Sequence, residues 1–198
     1  MKIRQKITGT ADGRGYVLMA ALAFFHFVFL GTEYLFDDMM VLVTEPTQVV
    51  TAQGYVLGAS VLGFLLYPAV VSGMERKRER AVADLHTIRG TGGMLPVFAG
   101  ALAGIICIFV MWQHASYGML LIAGCLCFIL LGMGGSAVHY GLSLAVKERY
   151  LAKTVGVSYG VGICLQFLNH QLVKNDMAES VVLSVSAAVF DVLLLRAD

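Results

Sequence analysis

The feature that most constrains this chain is a series of apolar runs, each about as long as a helix must be to cross a bilayer. A bilayer core takes roughly 20 mostly apolar residues per helical span. The sequence supplies six such runs, at about 16–42, 49–72, 94–112, 118–145, 153–173 and 180–195. Composition agrees: 58% of the residues are hydrophobic and only 14% charged, and the mean hydropathy of +0.78 lies outside the range of an ordinary soluble domain. The expected fold class is an all-α integral membrane protein with six transmembrane helices. Residues 1–15 form a tail, and 16–198 a single six-span domain. The first run follows a basic tail, as the apolar region of a signal peptide would, but it is too long for one and is read as retained.

Orientation follows from the connections. The net charge of +1 hides a strong segregation of basic residues. Lys2, Arg4, Lys6 and Arg14 precede the first span; Arg76, Lys77, Arg78, Arg80 and Arg89 follow the second; Lys147, Arg149 and Lys153 lie between the fourth and fifth; Arg196 ends the sixth. All of these fall on one side of the membrane, and only Lys174 on the other. The positive-inside rule then makes both termini cytoplasmic, and the expected location is the plasma membrane. The basic loop is read as topological, held inside by charge and by anionic headgroups. Span one ends at Glu45-Pro46, which cannot comfortably continue a helix, and Thr47 can cap the next one.

Several function classes drop out. Nothing in the charge pattern points to nucleic acid. Cys107, Cys125, Cys127 and Cys164 lie within apolar runs, without metal-type or disulfide-type spacing, and read as small packing residues. No nucleophile–base pair, metal-ligand spacing or phosphate loop points to an enzyme, and no cofactor is expected.

Polar residues inside spans carry the functional reading, because each is costly there. His26, Glu33 and Asp37 in span one share a helical face at offsets of 7 and 11. With a rise of about 1.5 Å per residue, His26 falls near the midplane, Glu33 about 25 Å in, and Asp37 and Asp38 in the outer headgroup region. Span four, "GMGGSAVHYGLSL", combines glycines that allow close helix approach with Ser136, His139, Tyr140 and Ser143. For His26 and His139, each taken alone, a bond to a backbone carbonyl competes with titration or substrate contact.

In span five, Tyr159, Gln166 and His170 lie near one helical line, with Asn169 beside it. Asn169 and His170 come out at the depth of Glu33, so two spans offer complementary polar groups at one level. Interhelical glue and substrate contact compete for Gln166, whereas Asn169 and His170 read as glue or outer interface. Asp191, in "VVLSVSAAVFDVLLL", is a minor candidate whose last-turn position could keep it near cytoplasmic water.

These residues resemble the amino-terminal six-helix half of a major facilitator superfamily transporter. The likeness covers nearly the whole chain: a basic connection between spans two and three, a glycine-rich span four, and "KERYLAKTVGVSYGVG" leading into a small-residue-rich span five. The family's loop signature runs approximately G-x-x-x-D-R-x-G-R-R. Here "AVVSGMERKRERA" keeps the basic residues but lacks the Asp and the later Gly, and span four lacks the family's early arginine. The chain looks like a divergent member.

The resemblance implies two inverted three-helix repeats, with spans one and four lining a central cavity. It also implies a second six-span half, either another copy or the continuation of a longer chain. Under it the expected function is transport of a small-molecule substrate, with proton coupling at Glu33 assisted by His26 or His139. The alternative is a non-transporting membrane sensor or anchoring module that keeps the fold.

Overall fold

A computed structural model describes residues 13–82 and 116–197. Among these residues the chain is all-helical: α1 (Gly13–Val41), α2 (Pro46–Val82), α3 (Tyr117–Ala145), α4 (Glu148–Leu172) and α5 (Asp176–Ala197). All five helices contain stretches long and apolar enough to cross a membrane. They correspond to the first, second, fourth, fifth and sixth expected spans. The third, 94–112, lies outside the described residues.

Helix boundaries differ from the expected ones where polar residues belong to a helix. The Glu45 carbonyl accepts the N–H groups of Gln48 at 2.9 Å and Val49 at 3.1 Å, so Glu45 is the N-cap and Pro46 takes the first helical position, where its missing N–H costs nothing. Thr47, expected as the cap, sits inside the first turn, and its carbonyl accepts the Thr51 hydroxyl at 3.0 Å. α2 continues past Pro68 to Val82 rather than ending at 72, so the basic stretch Arg76–Arg80 starts as helix and not as loop. α5 begins at Asp176 rather than 180. The Asn175 Oδ1 accepts the N–H groups of Met177 at 2.9 Å and Ala178 at 3.2 Å, and the acidic first turn suits the positive end of the helix dipole.

α1 is the centre of the bundle, packed by α3, α4 and α5, while α2 lies mainly against α3. Lipid tails are as apolar as leucine, so helices in a membrane associate through close backbone approach and dispersion rather than by escaping water. Glycine makes that approach possible here. A Cβ on Gly132 would run into the Ser60 carbonyl, and one on Gly63 into the Ile129 carbonyl, so α2 and α3 cross backbone to backbone.

The α1–α4 seam works the same way. The Ser158 Oγ donates to the Met19 carbonyl at 3.0 Å, and a Cβ on Gly162 would stand 2.6 Å from that of His26. The partners rise together along both chains, 19 with 158, 26 with 162, 31 with 166, so α1 and α4 run parallel. Val56 with Gly124 and Ser60 with Gly132 make α2 and α3 parallel too. α5 runs antiparallel to α1, with Leu183 over Gly31 and Phe190 against Phe25, their ring centroids 5.8 Å apart.

Cys127 is fully buried and packs as expected, Cys125 is half-buried, and Cys164 is exposed on the outer face of α4. That face also exposes Phe167 and Leu168, and α2 exposes Leu62 and Leu65. In a bilayer these are lipid-facing or partner-facing surfaces.

Candidate functional site

The parallel pairs leave a cleft between them. A cavity of about 490 Å³ opens there, lined by Phe25, His26, Phe29 and Leu30 of α1, Ser60, Val61, Phe64 and Leu65 of α2, Gly132 of α3 and Tyr159 of α4. Its size falls in the range of small-molecule sites. Val61 and Leu65 on one rim and Tyr159 on the other are exposed, so the mouth lies between α2 and α4. The wall is mostly apolar and aromatic, and among the described residues it contains no Lys, Arg, Asp or Glu.

Its polar lining includes His26, which pairs with His139 of α3. The His26 and His139 rings lie 6.3 Å apart at 81°, and His26 meets Tyr159 edge-on at 5.0 Å. The Nδ1–H of His139 donates to the Gly135 carbonyl one turn back, at 2.7 Å. A carbonyl can only accept, so this bond fixes the proton on Nδ1 and leaves Nε2 as the free nitrogen. Phe25 and Phe64 flank the His139 ring at 6.4 and 5.8 Å. The Nε2 of His26 is buried and has no hydrogen-bond partner.

Further along α1 the same face carries Glu33 and Asp37, and α2 answers with Gln53. One amide nitrogen, Nε2, donates to the Glu33 Oε1 at 3.2 Å and to the Asp37 Oδ2 at 2.8 Å. Gln53 stands two helical turns from Ser60 on the same side of α2, so this bridge closes one end of the cleft that holds the cavity. A separate polar group lies between α4 and α5. There the Asn169 Nδ2 donates to the Glu179 Oε1 at 2.8 Å. The Gln166 amide is close enough to Glu179 to interact with it, but neither its nitrogen nor its oxygen makes a well-formed hydrogen bond.

The structure therefore sorts the expected site residues. His26 and Tyr159 line the cavity, and His26 also meets His139, which lies outside the lining. Glu33 and Asp37 share Gln53 and do not pair with span five. The complementary groups expected there turn elsewhere: Asn169 is buried on Glu179, and the exposed His170 lies 6.1 Å from the Tyr34 ring.

Ser136 is buried on the packed face of α3, whereas Tyr140 is 57% exposed and outside the cavity wall. Gln166 is buried against Gly31 and does not line the cavity. Asp191, expected near water, is only 5% exposed, and its Oδ2 has no partner. The spacing that exposes Arg196 turns Asp191 onto the same buried stripe as Leu183, Ala187 and Leu194.

Gln53 and Glu179 were not expected at all. Gln53 had a signal, as an amide one turn inside the second apolar run. Glu179 had none, since it reads as the flank of a span. Among the described residues, no group of three or more His, Cys, Asp or Glu side chains could hold a metal ion.

No family model, characterised protein or solved structure matches this chain.

Proposed function

We propose that this chain is a six-span half of a secondary transporter of the major facilitator type, and that it moves a small solute. The observation that carries the reading is the exchange of partners around the cavity. α2 packs parallel on α3 and α5 antiparallel on α1, while α4 packs parallel on α1. If span three crosses within 94–112, the second helix of each three-helix unit lies on the first helix of the other unit, and α1 and α3 are the equivalent central helices. That is the interlocked arrangement two inverted repeats would give, with the binding site at their junction. The histidine pair spans the same junction, one ring from each central helix.

A second half would close the mouth between α2 and α4, where apolar side chains are exposed on both rims. It would be another copy or a further part of the protein. The two groups able to couple protons are the histidine pair and the Glu33–Asp37 pair. His26 lines the cavity with His139 beside it, while the carboxylates hold one end of the cleft. The test is uptake by the complete protein in liposomes. A pH-gradient-driven, saturable uptake of a small solute that His26→Gln abolishes supports the reading. Binding of a solute without its accumulation would replace it with the sensor or anchoring module, the role favoured by the missing Asp and Gly of "AVVSGMERKRERA".

A further inference from the structure

We propose that the cavity binds a hydrophobic monocarboxylate together with one proton, and that the proton is taken up at Nε2 of His26. The inference rests on the reading of this cavity as the solute site and adds the chemical class of the solute.

The argument is one of charge. A wall of Phe25, Phe29, Phe64 and Leu65 favours a hydrocarbon or aromatic body. An ionised ligand can leave water for such a wall only if its charge is compensated there. Among the described residues the wall has no permanent charge of either sign, so a lipophilic cation would find no counter-ion there. An anion finds one only after an imidazole has been protonated.

The groups facing His26 are few. α3 presents His139 and α4 presents Tyr159; α2 presents Ser60 and Phe64, neither of them an acid or base. α5 lies on the opposite side of α1 and carries Asp191 and Glu179 on its packed face. Along α1 itself, Glu33 is two turns away and held by Gln53.

Of the two rings, His26 lines the cavity, whereas His139, bonded through Nδ1 to the Gly135 carbonyl, does not. His26 has a buried, unpartnered Nε2. A proton from solution on that nitrogen creates an N–H donor and a positive charge in one step. The carboxylate accepts from it once the His26 ring, which lines the cavity with Nε2 closed off, turns that nitrogen toward the ligand, and the Ser60 hydroxyl is turned away onto the Leu57 carbonyl at 2.7 Å, so it does not compete as donor. No covalent bond forms or breaks, and the bound pair carries no net charge beyond that of the empty site. Coupling of one proton to one anion follows from this neutrality.

The experiment uses the protein in nanodiscs and three probes of one shape: 4-phenylbutyrate, 4-phenylbutyramide and 4-phenylbutylammonium. Calorimetric titration in two buffers of different ionisation enthalpy gives affinity and proton uptake together. Phenylbutyrate is expected to bind with about one proton taken up per ligand, and at least about tenfold more tightly than the amide or the ammonium. His26→Gln should abolish the proton uptake, and Cys164→Ser, on the exposed outer face of α4, should leave it in place.

Equal binding of acid and amide, preference for the ammonium, or binding with no proton uptake would each overturn the proposal. The proton count on the unaltered protein decides even if His26→Gln fails to fold. Proton-linked binding without accumulation in liposomes would keep this inference and remove transport. Accumulation of a different solute without phenylbutyrate binding would do the reverse.

Discussion

Gln53 shows how much a single side chain can hold in this fold. Its amide links α1 and α2 at the Glu33 end of the cleft, bridging two carboxylates one turn apart. Gln53→Leu keeps the volume and removes the donor, leaving two half-buried acids to face each other. Losing a hydrogen bond to a charged group costs about 1.5–3 kcal/mol, so the variant should unfold earlier in detergent, by thermal denaturation, than Gln53→Glu in acid or the unaltered protein at any pH. Unchanged stability would mean that water takes over both carboxylates and that the bridge is incidental.

At this scale the sequence was informative about which residues are polar and silent about which way they face. The 100° step puts His26, Glu33 and Asp37 on one line, and they do lie along one cleft. It also puts Tyr159, Gln166 and His170 on one line, yet Gln166 is 4% and Tyr159 47% exposed. Helical spacing defines a line on a cylinder. Only the neighbouring helix decides which side of that line is covered. On α4 the cover runs along Ser158, Gly162, Gln166 and Asn169, because small side chains let α1 close there.

Helix by helix, the glycines separate into two kinds that no spacing rule distinguishes. Gly63 and Gly132 sit where a Cβ would strike a backbone carbonyl of the facing helix, whereas Gly54, Gly58 and Gly156 have nothing within 4 Å of one. A backbone cannot move aside as a side chain can, so Gly132→Ala must push α2 and α3 apart. Overpacking of this kind costs about 1–3 kcal/mol. Gly156→Ala, on an open helix surface, should instead be neutral or stabilise by up to about 1 kcal/mol, since alanine costs less backbone entropy than glycine in a helix. Unfolding in increasing SDS compares the two directly, and similar midpoints would show that the α2–α3 crossing can loosen without cost. The sequence gives helix length and the presence of small residues; the span limits err wherever a helix leaves the apolar run, as α2 does on its way to Val82.

For the whole molecule, parity is the strongest constraint. α2 and α3 run side by side in the same direction, and the sixth span proposed for the apolar run 94–112, which has the length of one crossing, would supply the parity that direction needs if both helices thread a bilayer. The ends then group consistently. A Cβ on Gly15 would stand 3.6 Å from the Val146 side chain, which brings Arg14 and the start of α4, with Lys147 and Arg149, to one end. Lys174 caps the other, its Nζ donating to the His170 carbonyl at 3.1 Å.

Cysteine labelling in a background without the native cysteines tests parity and orientation together. A cysteine at Lys174 should react with a membrane-impermeant maleimide from outside intact cells. Cysteines at Lys147 and at Arg14 should react only after permeabilisation, as the positive-inside rule requires. If Arg14 and Lys147 label from opposite sides, the two parallel pairs cannot both span the membrane as described, and the cavity between them loses its place at the junction of two repeats.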